Sequence, residues 1–436
     1  MRTVRVLLLA CVLALSCTAL AIEIPLVYER YSDERSSVFR PHGNSQLEPT
    51  AEPPGPEWKL PSLNSKKPLY VLAEMGSDQV LFILDAQKAD VDYYDRIYFD
   101  ESVNKDLTDD PVVDGIKYDA DEPGRWWSNF PAIDTTVMTN GAISPYSFRP
   151  GVHRYTTQAG SEGSSETLTF YRQLNCAYSG EFEADGKKYR VVLSDGNVNG
   201  RFNDLPPFPR TGQERQTGAD YVYLTSGDQM SYYDGMAMAN LWLFGGTLYE
   251  MTLEVASMKL LLLPSTQKTA TFRLPDEVER MSLVAEGGSQ AVLVYQGGKR
   301  INIPAGNYSV VSYQLVRKEE CGDVWRLGAM ASNESPGFTL PDGGEADLAI
   351  GEPFTPKVVI SGERKGALPG EVLAEVPLGL VIQGSAGETV TRLERVSGSR
   401  STVAMSSRSS SRPKEPEYKI LNSAGEIVAA GQFEYG

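Results

Sequence analysis

EFEADGKKYRVVLSDGNVNGRFNDLP, residues 181–206, carries both the fold class and the first chemical clue. Phe182 and Ala184, then Tyr189, Val191 and Leu193, alternate with polar or charged residues at the period of a half-buried strand. Asp185-Gly186 separates the two runs, and an Asp-Gly pair accepts the positive φ angles of a two-residue hairpin. The same grammar recurs in KPLYVLAEM (67–75), QVLFILDA (79–86) and YYDRIYFD (93–100), which are rich in β-branched and aromatic residues. QAVLVYQGGKRINIP (290–304) predicts a hairpin about Gly297-Gly298, and YKILNSAGEIVAAGQFEYG (418–436) predicts another about Ala424-Gly425. EMTLEVASMKLLLLP (250–264) has helix-forming residues, yet it continues the hairpin rhythm and reads as two strands. Sustained helical spacing is scarce, so the expected class is all-β and multidomain.

The second hairpin strand runs straight into Asp195, Asn197 and Asn199 at alternate positions, followed by Gly200. Calcium takes six to eight oxygen ligands at about 2.3–2.6 Å, and a tight loop supplies them from alternate side chains and a backbone carbonyl. Here the Arg201 carbonyl would follow the turn at Gly200, with the arginine side chain facing solvent. Phe202 would plug the loop into the core, and Asn203 and Asp204 would close the shell. An earlier stretch, FDESVNKDLTDDP (99–111), repeats the plan. When Asp100 is laid over Asp195, Tyr94 falls on Tyr189, Asn104 on Asn199, Leu107 on Phe202, Asp109 on Asp204 and Pro111 on Pro206. The coincidence predicts an internal duplication. Asp100, Ser102, Asn104, Asp106 and Asp109 are its candidate ligands, although Lys105 stands where the second copy has glycine, and a left-handed lysine is unfavourable. Both stretches also read as Asx-rich turns that satisfy their own backbone and bind nothing.

The pattern D-x-[DN]-x-[DN]-G at 195–200 resembles the calcium loops of dockerin, EF-hand and thrombospondin-repeat type. It departs where Pro206 replaces their closing carboxylate, which leaves Asp204 to serve, and it follows a strand rather than a helix. The resemblance implies calcium affinity on the order of 10⁻⁴–10⁻³ M, as in extracellular modules. INIPAGNYSVVSYQL (301–315) resembles the PAG-x-Y strand start of immunoglobulin-like and carboxypeptidase-regulatory-type β-sandwiches. In it Tyr308, Val310 and Ser312 are expected outward, opposite Val311 and Tyr313. VPLGLVIQGSAGETVTRL (376–393) reads as closing strands. Together with the final FEYG, these features resemble secreted β-rich proteins of planctomycete-type bacteria, a likeness that implies export and no particular activity.

Composition sets the surroundings of this plan. Residues 1–21 have the form of a secretory leader: Arg2 and Arg5, a short apolar run, and Ala19-Leu20-Ala21 before the expected cleavage. No later stretch is long and apolar enough to span a membrane. The 436-residue chain has a formal charge of −16, which disfavours nucleic acid and anionic lipid as partners. Cys11 and Cys17 leave with the leader; Cys176 and Cys321 either form one disulfide or stay as separate buried thiols. The expected organisation is an irregular Pro-rich lead-in at 22–66, with 48–61 as a spacer, and a β-rich region with both loops at 67–265. A β-sandwich follows at 266–350, then a C-terminal β domain at 351–436 with a mobile Ser/Arg-rich loop at 397–417.

Catalytic signatures are missing from the chain: no nucleophile elbow, zinc-protease helix or phosphate loop occurs, and the two histidines, His42 and His153, stand beside no such motif. Trp126-Trp127 is the best candidate for stacking on a sugar; adjacent tryptophans also commonly divide between core and surface. The expected role is an exported, calcium-binding, non-catalytic protein with a polysaccharide or cell-surface component as its possible partner. The alternative is a secreted carbohydrate-active enzyme or carbohydrate-binding module.

Overall fold

The computed structural model describes residues 21–31, 41–120, 124–158, 164–184, 186–208, 218–227, 230, 234–275, 277–295, 298–320, 322–331, 335, 337–360, 378–397, 400–403 and 415–433. The protein is all-β, built from several sheets, and no α-helix occurs among these residues. No helix in them is long and apolar enough to cross a membrane. Residues 1–20 of the expected leader, Cys321, and residues 398–399 and 404–414 of the Ser/Arg-rich stretch lie outside the described residues.

Both Asp-containing stretches join neighbouring antiparallel strands. Arg96–Phe99 pairs on one side with Asp78–Asp85 and on the other with Val112–Asp114; the first loop connects it to the latter. Lys187–Ser194 lies between Cys176–Ala184 and Tyr221–Thr225, and the second loop leads to the latter. The Asp-Gly hairpin forms as expected, with Ala184 opposite Lys187 and Gly186 at φ 70°. A further sheet runs in the order Asn44–Leu47, Ser164–Leu174, Ala142–Gln158, Trp126–Asn129, Ile116–Asp119, with Ile133–Thr139 also on the long central strand.

These sheets enclose an aromatic core. The Phe82 ring lies 4.9 Å from Phe99, 5.0 Å from Phe170 and 6.0 Å from Phe148, and all four residues are buried. The same core continues through Tyr178, Phe202, Tyr189 and Trp242.

A thirteen-stranded sheet ties the two halves of the chain together and runs across residues 265 and 350. Leu241–Phe244 pairs in parallel with Ala291–Tyr295, and Val324–Met330 pairs with Thr389–Ser397. The stretch 250–264 forms two strands joined by a 3₁₀ turn at Val255–Ser257, as the hairpin rhythm predicts. A second core lies between the large sheet and the small sheet of Arg300–Pro304, Thr269–Arg273 and Glu345–Asp347.

Four expectations are corrected. The lead-in is not wholly irregular: Ile22–Pro25, Val27–Arg30 and Asn44–Leu47 are strands that pair with Lys259–Pro264, Cys176–Ala184 and Ser164–Leu174. Backbone pairing at a strand edge needs little side-chain pattern, so such strands are faint in sequence. The Pro-rich stretch is packed rather than a free spacer, with Trp58, Leu60 and Leu63 against Tyr70, Leu81, Ile83, Tyr98 and Leu107. Ala291–Tyr295 and Arg300–Pro304 do not form a hairpin, because the latter pairs with Thr269–Arg273 in another sheet. Within 397–417, Arg400–Val403 pairs back on Thr389–Ser397.

Gly306–Lys318 follows the expected strand, but its facing differs. Tyr308 and Val310 are buried, and so are Tyr313 and Leu315. The register opposite Ser282 and Leu283 slips between Ser312 and Val310. A bulge at that point turns the inward phase over. The terminal hairpin, Glu417–Leu421 with Ile427–Gln432, forms as expected.

Phe82→Ala leaves a cavity at the centre of the aromatic cluster and should cost about 3–5 kcal/mol. Leu72→Ala, on the exposed side of a neighbouring strand, should cost less than about 0.5 kcal/mol. Urea unfolding of the two variants checks the contrast.

Candidate metal-binding loops

Asp195 terminates its strand fully buried, with its charge spread over three donors. Its Oδ1 accepts the Asn199 N–H at 3.1 Å; its Oδ2 accepts the Gly200 N–H at 2.6 Å and the Tyr146 hydroxyl at 2.7 Å. Val198 and Gly200 both have positive φ, 56° and 84°, which curls the backbone so that these N–H groups point back at the carboxylate. Gly200 is required twice over, because a Cβ there would lie 2.7 Å from the Gly76 nitrogen. Asn197 and Asn199 direct their Nδ2 atoms at Asp204 Oδ2, at 3.1 and 2.6 Å. Phe202 is the expected plug, 4.9 Å from the Tyr178 ring and 6.1 Å from Tyr146.

Asp220, which the sequence pattern missed, completes this cluster. It precedes the strand Tyr221–Thr225, and its carboxylate accepts the Gly196 N–H at 2.8 Å and the Asp204 N–H at 2.7 Å. Only the pairing of that strand with Lys187–Ser194 brings it to the loop. A clue existed in Asp preceding a strand, but the intervening residues hide the connection.

The first loop repeats the geometry at a shallower depth. Asp100 is buried and accepts the N–H groups of Asn104 and Lys105 at 3.1 and 3.3 Å. Val103 and Lys105 have φ of 54° and 66°, so lysine does occupy the left-handed position. Asn104 Nδ2 meets Asp109 Oδ2 at 3.1 Å, as Asn199 meets Asp204. Leu107 is buried like Phe202. Asp110 takes the part of Asp220: its Oδ1 accepts the Ser102 N–H at 3.2 Å, while its buried Oδ2 has no hydrogen-bond partner.

Several nominated residues lie elsewhere. Arg201 keeps its place after Gly200, but its side chain is half-buried rather than free in solvent: the guanidinium reaches Glu74 at 2.9 Å, the Gly76 carbonyl at 3.3 Å and Asp204 at 3.6 Å. Asn203 is exposed and takes no part in the hydrogen bonds that join Asn197, Asn199 and Asp204. Asp106 turns outward to Lys59 at 2.6 Å, and that bond holds its carboxyl down at about 2. The Ser102 side chain is exposed, and the residue contributes its backbone N–H. Cys176 is a free buried thiol that accepts the Ser147 N–H at 3.3 Å, and burial pushes its pKa up to about 12.

Burial dominates the electrostatics of both loops. It raises the Asp195 carboxyl to about 6 despite the hydrogen bonds that favour its charged form. Asp220 is pushed well above the carboxylate range by burial, then by the charges of Asp195 and Asp204. Asp100 and Asp110 are raised for the same first reason. Among the described residues no three His, Cys, Asp or Glu side chains form a metal-holding group by themselves, so a cation here must also use amide or backbone oxygens. No family model matches the chain, and no curated protein or solved structure is significantly similar to it.

With a folded value near 6 for Asp195 against about 3.9 when unfolded, the folded state binds the extra proton between these limits. Stability present below about pH 4 is therefore lost as pH rises through about 6. Melts in EDTA should show Tm falling from about pH 5 to pH 7, and Asp220→Asn should flatten the fall by removing a second buried carboxyl that takes up a proton on folding. A wild-type Tm that climbs through this interval contradicts the assignment.

Proposed function

We propose that the chain is an exported, calcium-stabilised β-rich protein with a non-catalytic binding or cell-surface role. The observation that carries the reading is the convergence of Asp195, Asp204 and Asp220 on a loop that also holds two asparagine amides. Asp195 Oδ1 accepts a single N–H, which leaves it capacity for a cation. Asn197 and Asn199 both aim Nδ2 at one oxygen of Asp204. Their Oδ1 atoms accept the N–H groups of Asn199 and Arg201 at 3.1 and 2.9 Å, and the second lone pair of each amide oxygen has capacity for a cation. A hard cation with mixed oxygen ligands is calcium, and its charge offsets the desolvation that raises Asp195 and Asp220.

The role of such an ion is structural. Each loop connects adjacent strands of a sheet, so fixing it fixes their register. Export is supported by the leader-like residues 1–21. An immunoglobulin-like relation for the later part is supported by two antiparallel-rich sheets enclosing one core, with Tyr308 inside it. Of the tryptophan pair, Trp126 lies in the core, which removes it from any sugar-stacking role in an enzyme cleft.

Thermal melts of residues 22–436 in EDTA and then in a calcium series test the proposal. With a dissociation constant on the order of 10⁻⁴–10⁻³ M, about 10 mM calcium adds roughly 1.4–2.7 kcal/mol per site. Tm should rise by a few degrees, and Asp204→Ala should abolish the larger part of the rise, Asp109→Ala the smaller. A melt indifferent to calcium at that concentration overturns the reading and leaves both stretches as self-satisfied turns.

A further inference from the structure

We infer that the outward face of the sheet containing Trp127 binds a neutral polysaccharide. This site is separate from the calcium-loop proposal and does not rest on it. Along that sheet Tyr118 pairs with Trp127, and Trp127 with His153, so three ring-bearing residues lie in step on adjacent strands. Strand spacing of about 4.8 Å sets the interval of the row. The Tyr118 and Trp127 rings are stacked, 5.9 Å apart and 16° from parallel. His153 continues the surface, 4.4 Å from Tyr171 and 5.4 Å from Tyr155, whose hydroxyl meets His153 Nδ1 at 2.6 Å.

Tyr171 shows that the face is built to present ring planes. It lies across Gly151, where an ideal Cβ would stand 2.0 Å from its Cζ. Any side chain at Gly151 would lift the ring. The Tyr171 hydroxyl donates to Asn129 Oδ1 at 2.8 Å, which fixes the ring in this posture. Tyr118 and Tyr155 are 42 % and 37 % exposed, with one face of Tyr118 against Trp127 and one face of Tyr155 against Arg125. Flat, exposed rings match the axial C–H surface of a pyranose, whose hydroxyls project sideways.

Beside this row opens a cleft of about 440 Å³ whose polar lining includes Asn44, Gln46, Thr169 and Gln173, with His42 and His153 at its walls. These amides and hydroxyls both donate and accept, as sugar hydroxyls do. The lining contains no Leu, Ile, Val, Met or Phe, unlike the aliphatic core of a protein–protein interface. Among the described residues it contains no carboxylate, lysine or arginine either, within a chain of net charge −16. Two arginines border the cleft: Arg125 lies over the Tyr155 ring and Arg149 sits opposite Gln173. Burial lowers the pKa of both histidines, and the charge of Arg125 lowers that of His153 further. An uncharged lining in a polyanionic body selects an uncharged ligand over an acidic one.

Affinity electrophoresis tests this. The full mature chain is run in native gels containing soluble β-glucan, xylan or galactomannan, with polygalacturonate as the acidic comparison. Wild type should be retarded by at least one neutral polymer, and Trp127→Ala and Tyr171→Ala should each raise the dissociation constant about tenfold. Tyr155→Ala, at a more exposed ring, should weaken binding with an unchanged Tm, and Tyr171→Phe should lie between wild type and Tyr171→Ala. Unretarded migration in every neutral gel overturns the proposal, as does retardation by polygalacturonate alone. Retardation by a neutral polymer that all three alanine variants retain within twofold also overturns it.

Discussion

The carboxylate of Asp195 is the point where distant parts of the chain are forced into one arrangement. It is fully buried, so it demands donors on every side: a tyrosine hydroxyl from the long central strand and two N–H groups from its own loop. The guanidinium of Arg172, itself buried, adds a favourable charge and is held by the Glu74 carbonyl at 3.3 Å. Around this charge the backbone is packed to contact. A Cβ at Gly43 would lie 2.3 Å from the Asp195 carbonyl oxygen, and the Asn199 carbonyl accepts the Gly76 N–H at 2.6 Å. Removing any one of these partners leaves a buried charge short of a hydrogen bond, which is costlier than the loss of the bond itself.

The segment 44–63 performs the same service for both loops. The Asn44 N–H donates to the Gly196 carbonyl in the second loop; the Lys59 N–H donates to Lys105 and the Lys59 carbonyl accepts from Leu107 in the first. One run of chain thus closes two turns that carry the same curl. Trp58 and Leu60 then cover the apolar side of the first sheet, and Lys105 lies 5.5 Å above the Trp58 ring. This packing accounts for the tolerance of a left-handed lysine: its carbonyl accepts the Lys59 N–H, its own N–H donates to Asp100, and its stem rests on an aromatic surface.

Where expectation and structure part, the cause is a neighbour from far along the chain. Local spacing points the Arg201 side chain to solvent, yet Glu74 and the Gly76 carbonyl, from a hairpin in the other sheet, draw it in. Asp106 was counted as a ligand by its spacing, and Lys59 draws it away. Tyr308 and Val310 were turned outward by simple alternation, which a bulge inverts. The Gly297-Gly298 turn was read as a hairpin because alternation cannot tell pairing with the next strand from a change of sheet.

By itself the sequence determined the strand period, the Asp-Gly and Ala-Gly hairpins, the all-β class, and the curl of both loops with their apolar plugs Leu107 and Phe202. These are local properties, set by alternation, by φ preferences and by side chains bonding to backbone a few residues away. Tertiary structure alone decided that Asp220 and Asp110 join the loops, that Trp126 enters the core while Trp127 faces outward, and that one sheet joins Ile22–Pro25 to strands between Leu241 and Val403. Those outcomes depend on which strand lies beside which, and pairing is fixed by the burial of faces contributed from remote segments.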